Sequence, residues 1–282
     1  MRALQNILGD LAFQFRVNGA LLPRLLCVLA YYFIYGLYRV LGREQGDSRL
    51  RALWALQLCG LSTCSVRVQF PREMRMETDL FTAAFMLREF LKDRVYEHWE
   101  EFVPKTGETI ADVGAHHGAF TLGAAQRVGP QGQVVAIEAF EGNIELLRRN
   151  LSLNGIKNTT AVCAAAGSEQ REATLYTTPL VTGGHSVVIR TEGPVERLPT
   201  QVQMRTLDDI LHEIGIQKID LIKIDVEGAC LSVLQGATRT LSTKPRLVME
   251  VEGAVGEQRK VREFLESSGY VVKEYQSILY AS

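Results

Sequence analysis

The sequence predicts an α/β chain: a mostly parallel sheet with helices on both faces, closed by a C-terminal antiparallel hairpin and preceded by a helical N-terminal region. Three observations lead there. From residue 108 onward, short β-rich runs alternate with helical stretches, the order that builds a parallel sheet. A strand at 110–113 runs directly into a glycine-containing turn and then a helix. Near the C-terminus, two short strands at 270–274 and 277–280 are separated too briefly for a crossover helix, so they must pair antiparallel.

The N-terminal region comes first in the chain and is the more ambiguous part. With 282 residues, 46% hydrophobic and 22% charged, the chain fits one catalytic-size domain plus an appendage, and its usage is globular rather than disordered or fibrous. The turn-rich Pro104-Lys105-Thr106-Gly107 marks the boundary, giving a helical, basic, apolar region over 1–103 and a second domain over 104–282. Residues 1–72 hold nine basic and three acidic side chains, a net +6 inside a chain of net charge -1, so the remainder is acidic. That asymmetry argues against nucleic-acid binding by the whole molecule.

Residues 25–38 carry no charge, are flanked by arginines, and include Tyr31, Tyr32, Tyr35 and Tyr38, the composition of an interfacial belt. The run can lie on an anionic membrane surface, span, or pack against protein; surface association leads. Residues 1–70 are therefore the expected contact with a membrane surface or protein partner. A cleaved signal peptide is disfavoured, because the run starts late and no small-residue cleavage site follows. Five cysteines without CxxC or Cys/His spacing signal neither a disulfide framework nor a zinc site, so a reducing cytoplasmic location is expected, peripheral to or anchored at the membrane. After Pro71, Leu80, Ala84, Leu87, Leu91, Val95 and Trp99 recur at helical spacing, with Thr78 or Asp79 as cap. That helix would pack on the following domain, or cover its cleft as a lid.

In the second domain, strands are expected at 109–113, 134–137, 160–164, 219–224 and 246–251. Helices are expected from near Phe120, over 143–154 with Asn154-Gly155 as its stop, and over 206–214, 227–241 and 260–268.

The chemistry is concentrated in Ile110-Ala-Asp112-Val-Gly114-Ala115-His116-His117-Gly118-Ala-Phe120-Thr121. Gly114 and Gly118 let backbone approach a ligand, and the helix start offers unpaired N–H groups to its polar atoms. Glu138 ends the next strand, 24 residues past Gly114, where an acid can accept hydrogen bonds from ribose hydroxyls. The spacing lacks the GxGxxG that a pyrophosphate needs, which disfavours a nicotinamide dinucleotide. Asp112 beside the turn suits a ligand amino group rather than phosphate, and S-adenosylmethionine has that group, a sulfonium and no phosphate.

Asp112-Val-Gly-Ala-His-His-Gly118, Ala136-Ile-Glu-Ala-Phe140 with Asn143, Thr206-Leu-Asp-Asp-Ile210 and Asp220-Leu-Ile-Lys-Ile-Asp-Val-Glu-Gly228 occur in the order found in FkbM-type methyltransferases. The chain resembles that family over about 107–272, most distinctively at 221–228 followed by Leu234-Gln-Gly236-Ala. The resemblance implies a class I, Rossmann-like seven-stranded sheet and methyl transfer from S-adenosylmethionine to a hydroxyl of a sugar, lipid or secondary metabolite. It also implies that Asp112, Gly114, His116 and Gly118 line the cofactor's methionine side, Glu138 the ribose, and Ala164 and Ala165 the adenine, with Ala115 and Asn143 also in the cofactor site. His116 stands where asparagine is frequent in the family, and Cys230 where glutamate is. A non-catalytic, membrane-associated or complex-bound subunit on the same fold is the alternative from another class.

On the strand near 219–226, Lys223, Asp225 and Glu227 alternate with Ile222, Ile224 and Val226, so one face would carry three charges at the strand's ligand-binding end. Asp225 or Glu227 is the candidate proton acceptor, with Lys223 beside them; an ion pair of Lys223 with either acid is the structural alternative. His185 in Gly183-Gly-His185-Ser186 is a second candidate base, and Glu250 and Glu252 end the following strand. Adjacent His116 and His117 converge poorly on one ion, so no metal is expected.

Overall fold

The computed structural model describes residues 65–69, 74–79, 82–83, 95–177, 185–187, 198–251 and 256–282. The apolar run at 25–38, Pro71 and most of the helix expected over 80–99 lie outside them. The chain divides into two compact units, 1–85 and 86–282.

In the first unit, β1 (Ser65–Gln69) and β2 (Arg75–Asp79) pair antiparallel with Arg67 opposite Glu77, and those two side chains form an ion pair. Met76 and Thr78 are buried between less buried neighbours, the period of two of a half-buried strand. This hairpin was not expected in a region read as helical. Asp79 does act as a cap: its carboxylate accepts the Thr82 N–H at 2.8 Å, and residues 82–83 are helical. Residues 95–99, expected to end that helix, are turn and bend instead, followed by a 3-10 turn, Glu100–Phe102.

The second unit is built on seven strands: β3 (Thr109–Val113), β4 (Gln133–Glu138), β5 (Thr159–Cys163), β9 (Leu221–Asp225), β10 (Arg246–Glu250), β11 (Val272–Tyr275) and β12 (Ile278–Ala281). Their spatial order is β11-β12-β10-β9-β3-β4-β5. β10, β9, β3, β4 and β5 are mutually parallel, whereas β12 runs antiparallel to both β10 and β11. The fold is the expected class I α/β sheet with its antiparallel C-terminal hairpin. The chain winds outward through β3, β4 and β5, then returns to the centre at β9, so strand order reverses between β3 and β9. Open α/β sheets bind ligands in the crevice at such a reversal.

Alternation along the strands sorts two cores. Ala111, Val113, Val135, Ile137, Ile222, Ile224, Leu247 and Met249 face α3 (Leu207–Glu213), α4 (Cys230–Gln235) and α6 (Glu257–Ser267). Ile110, Val134, Leu221 and Val248 face α1 (Ala119–Val128) together with Val95, Tyr96 and Phe102. Asp112, Lys223 and Asp225 have the parity of this second face, so it turns polar toward the strands' C-terminal ends. α2 (Glu141–Leu153) buries Ile144, Leu147 and Leu151, as its spacing predicted.

Two parts of the unit were not read from the sequence. A smaller sheet, β6 (Ala165–Ala166), β7 (Arg171–Thr177) and β8 (Leu198–Arg205), sits in the order β6-β8-β7. The single helix expected over 227–241 is two helices, α4 and α5 (Thr238–Ser242), interrupted at Gly236. There a Cβ would stand 1.9 Å from the Gly167 carbonyl oxygen, so backbone meets backbone. The Asp208 carboxylate then accepts the Arg239 and Thr240 N–H groups at 2.7 and 2.9 Å, which caps α5.

Candidate active site

The site begins where β3 ends. Gly114 and Ala115 both donate their N–H to the Ile137 carbonyl, at 2.9 and 3.0 Å, which pulls the turn onto the end of β4. Gly114 is left-handed, and a Cβ on it would lie 1.8 Å from the Asp225 carbonyl oxygen, so only glycine lets the β3 turn lie against the end of β9. Gly118, with φ +94°, precedes the first turn of α1, and a Cβ there would meet Leu147 at 2.3 Å. His116 between them is also left-handed.

Beneath this turn runs a buried chain of charges. Asp112 is fully buried; its Oδ2 accepts the Thr121 hydroxyl at 2.5 Å and its Oδ1 lies 3.2 Å from Lys223 Nζ. Lys223 donates to the Gly114 carbonyl at 2.8 Å and lies 3.5 Å from Asp225. Burial by itself would lower the Lys223 ammonium, but Asp112 and Asp225 outweigh it and hold the group above its ordinary value. Side-chain exposure rises along the chain, from 0% at Asp112 and 4% at Lys223 to 32% at Asp225. Asp225 is thus the member that a ligand can reach. The Tyr96 hydroxyl lies 3.0 Å from Asp225 Oδ2 and 2.9 Å from Glu250 Oε2, bridging the ends of β9 and β10.

Glu138 ends β4 and is nearly buried. Its Oε2 accepts the His116 N–H and its Oε1 the Phe140 N–H, each at 2.9 Å, with the Asn143 amide at 3.3 Å. Burial raises this carboxyl above its usual range, against those three hydrogen bonds and the Lys223 charge. A carboxylate has about four acceptor positions, so one remains for an incoming donor. The weakest of the three contacts, Asn143, is the one a second hydroxyl would displace. Asn143 in turn faces His117 Nε2 at 3.1 Å, and Asn150 donates to the His117 carbonyl at 2.9 Å. His116 stacks on His117 with centroids 3.7 Å apart. Burial, then the charges of His117, His185 and Lys223, keep His116 well below the usual histidine value. Ala164 and Ala165 are buried at the end of β5, and the Ala164 N–H donates to the Glu138 carbonyl at 3.0 Å.

These positions correct the sequence-based expectations in two places. Asp112 does not face a ligand amino group: its carboxylate is enclosed by Thr121 and Lys223, and it acts on the turn from below. Glu227 does not share a face with Lys223 and Asp225, because β9 ends at Asp225 and the chain turns through left-handed Glu227 and Gly228. Cys230, which stands where the family often has glutamate, is buried; its thiol donates to the Glu250 carbonyl at 3.1 Å, and burial pushes that thiol upward. Lys223 does pair with Asp225, but its closer carboxylate partner is Asp112, which sequence reasoning did not connect to it.

His185 is half-buried against the Phe140 ring, edge to face at 4.7 Å, and Ser186 donates to the Glu227 carbonyl at 2.7 Å. Glu252 lies outside the described residues. Among the described residues no group of three or more His, Cys, Asp or Glu side chains is placed to hold a metal ion. Tyr96 and Thr121 are the site residues that sequence reasoning missed. Thr121 could have been found, since it stands three residues after Gly118 on the first turn of α1; Tyr96 carried no local signal.

A family model described as methyltransferase FkbM domain matches residues 112–272. A 31-O-demethyl-FK506 methyltransferase of Streptomyces tacrolimicus is 31% identical over 229 residues, covering 71% of this chain and 86% of the relative. Methyltransferase sdnD of Sordaria araneosa is 28% identical over 216 residues, covering 67% and 82%. Among solved structures, Aeropyrum pernix fibrillarin in complex with S-adenosyl-L-methionine aligns with a TM-score of 0.44 and 11% identity, over 78% of this chain and 84% of that one.

Proposed function

Because the chain belongs to the FkbM methyltransferase family, and so is an S-adenosylmethionine-dependent methyltransferase, we propose that it methylates a hydroxyl oxygen of a sugar, lipid or secondary metabolite. The residues fit the cofactor. Two left-handed glycines let the turn lie close against the end of β9 and against Leu147, and the Glu138 carboxylate keeps an acceptor position for a ribose hydroxyl. Gly114 to Gly118 would hold the methionine part, Glu138 positioned by Asn143 the ribose, and Ala164 with Ala165 the adenine. When bound, the cofactor supplies a methyl group on positively charged sulfur: the carbon–sulfur bond gives way to a carbon–oxygen bond, its electron pair stays on sulfur, and the hydroxyl proton is released.

Proton acceptance falls to Asp225, and this is the observation that carries the proposal. It is the reachable carboxylate of the buried chain, and its backbone lies against the Gly114 turn. Lys223 holds it from behind, anchored on the Gly114 carbonyl and Asp112. An acid next to the cofactor turn suits an acceptor whose proton must leave as its oxygen is methylated. Glu227 and the His185 loop lie beside the same strand end. The family match leaves the nicotinamide alternative without support.

The test is transfer of labelled methyl from S-adenosylmethionine into hydroxylated extracts, with calorimetry of cofactor binding alongside. Label in an ether-linked methyl, lost in Asp225→Asn while cofactor affinity is kept, is the expected result. Label in a nitrogen-linked methyl would refute the oxygen assignment, and full turnover in that variant would refute Asp225 as the proton acceptor.

For residues 1–70, we propose contact with an anionic membrane surface, the enzyme acting there on an amphipathic acceptor. Support comes from the sequence, namely the net +6 of residues 1–72 and the tyrosine-rich run. Among the described residues no helix is long and apolar enough to cross a membrane.

A further inference from the structure

We propose that Tyr96 and Glu250 are positioning residues for proton removal from the acceptor, joining Asp225 in one hydrogen-bonded unit at the ends of β9 and β10. This rests on the hydroxyl-acceptor proposal and identifies the groups behind its proton acceptor. Glu250 and Asp225 are register partners on neighbouring parallel strands, so two carboxylates stand side by side where like charges repel. The Tyr96 hydroxyl answers both, at 3.0 Å and 2.9 Å.

A phenol has one proton and donates to one carboxylate at a time. With that proton toward Glu250, the phenol oxygen presents a lone pair to Asp225 Oδ2, and a proton arriving on Oδ2 completes the second hydrogen bond. The acceptor hydroxyl supplies it. The proton leaves the acceptor oxygen as that oxygen gains the methyl carbon, and it comes to rest on Asp225, hydrogen-bonded to Tyr96. The unit is braced from outside: the Tyr96 ring lies edge-on to Phe120 at 6.1 Å, Lys223 Nζ stands 5.4 Å over its face, and Ser277 donates to Glu250 Oε1 at 3.4 Å. Tyr96 also precedes the family-matched 112–272, so this part of the site comes from outside the family's core.

The test uses the full chain carrying tyrosine labelled with carbon-13 at Cζ, the Tyr96 resonance being assigned by its loss in Tyr96→Phe. That resonance should move in both Asp225→Asn and Glu250→Gln; a response to one of them alone, or to neither, overturns the bridge. In the extract assay, Tyr96→Phe and Glu250→Gln should each lower turnover at saturating cofactor about tenfold or more, with cofactor affinity held within about twofold. Full turnover in both variants overturns the positioning role and leaves the methyltransferase reading intact. No oxygen-linked label from the wild-type chain removes the hydroxyl reading and its proton step together, and the resonance shifts still judge the bridge.

Discussion

Lys223 is a buried ammonium between two carboxylates, and an ion pair taken out of water is held chiefly by its partners' charges. Lys223→Met should therefore cost about 3–5 kcal/mol in urea unfolding, since it leaves Asp112 buried and unanswered. Adding Asp112→Asn should recover part of that loss. Because the folded ammonium titrates above its ordinary value, this stabilisation is complete below about pH 10.4 and disappears as pH rises through the folded value.

His116 has the opposite sign. Its folded value is depressed, so stability is full above about pH 6.5 and falls with pH below it, as the unfolded chain takes up the proton first. Asparagine tolerates the left-handed backbone, so His116→Asn should flatten that acid-side loss in thermal unfolding between pH 7 and 5 (about the histidine range). Glu138→Ala should weaken S-adenosylmethionine binding by about 1.5–3 kcal/mol in calorimetry if a charged hydrogen bond to ribose is lost; unchanged affinity would place the ribose elsewhere.

Gly114 and Glu138 were legible because a turn after a strand and an acid at the end of the next one are local patterns with fixed spacing. Tyr96 was not. It meets Asp225 across 129 residues, and no periodicity encodes a contact between a turn and a distant strand end.

At the scale of elements, β-rich runs and helical spacing located each strand of the large sheet and four of its helices to within a few residues, because the central strands are apolar toward both cores and the helices bury one face apiece. The interruption of 227–241 escaped that logic. Its apolar spacing is continuous, and the break comes from Gly167 pressing on Gly236. Gly236 has an ordinary negative φ, so its requirement for glycine is steric alone. Gly236→Ala should therefore destabilise the domain by about 1–3 kcal/mol of overpacking, measured by denaturant midpoint at unchanged slope. The extension of Glu227 onto the charged face failed for a related reason: alternation holds only while the chain stays extended, and β9 ends at Asp225, before the left-handed Glu227 and Gly228.

For the whole molecule, the sheet reversal between β3 and β9 creates the cleft, which the linear order of β-rich runs does not by itself specify. The N-terminal hairpin was hidden because β1 and β2 are short and polar on alternate positions, inside a segment dominated by helical and basic signals. What that segment does is a question of charge. The seven arginines around the tyrosine-rich apolar run would each gain about 1 kcal/mol beside an anionic leaflet, an attraction screened within about 10 Å at 0.1 M salt. The catalytic unit lacks that bias, since the residues after 72 carry net negative charge. The full chain should therefore float with phosphatidylserine vesicles at low salt, be released as salt rises, and ignore neutral phosphatidylcholine vesicles. A chain starting at Asp79, which keeps the whole α/β unit, should stay in the soluble fraction under all three conditions. Equal behaviour of the two chains would assign residues 25–38 to packing against protein, and flotation resistant to high salt would assign them to the hydrocarbon core.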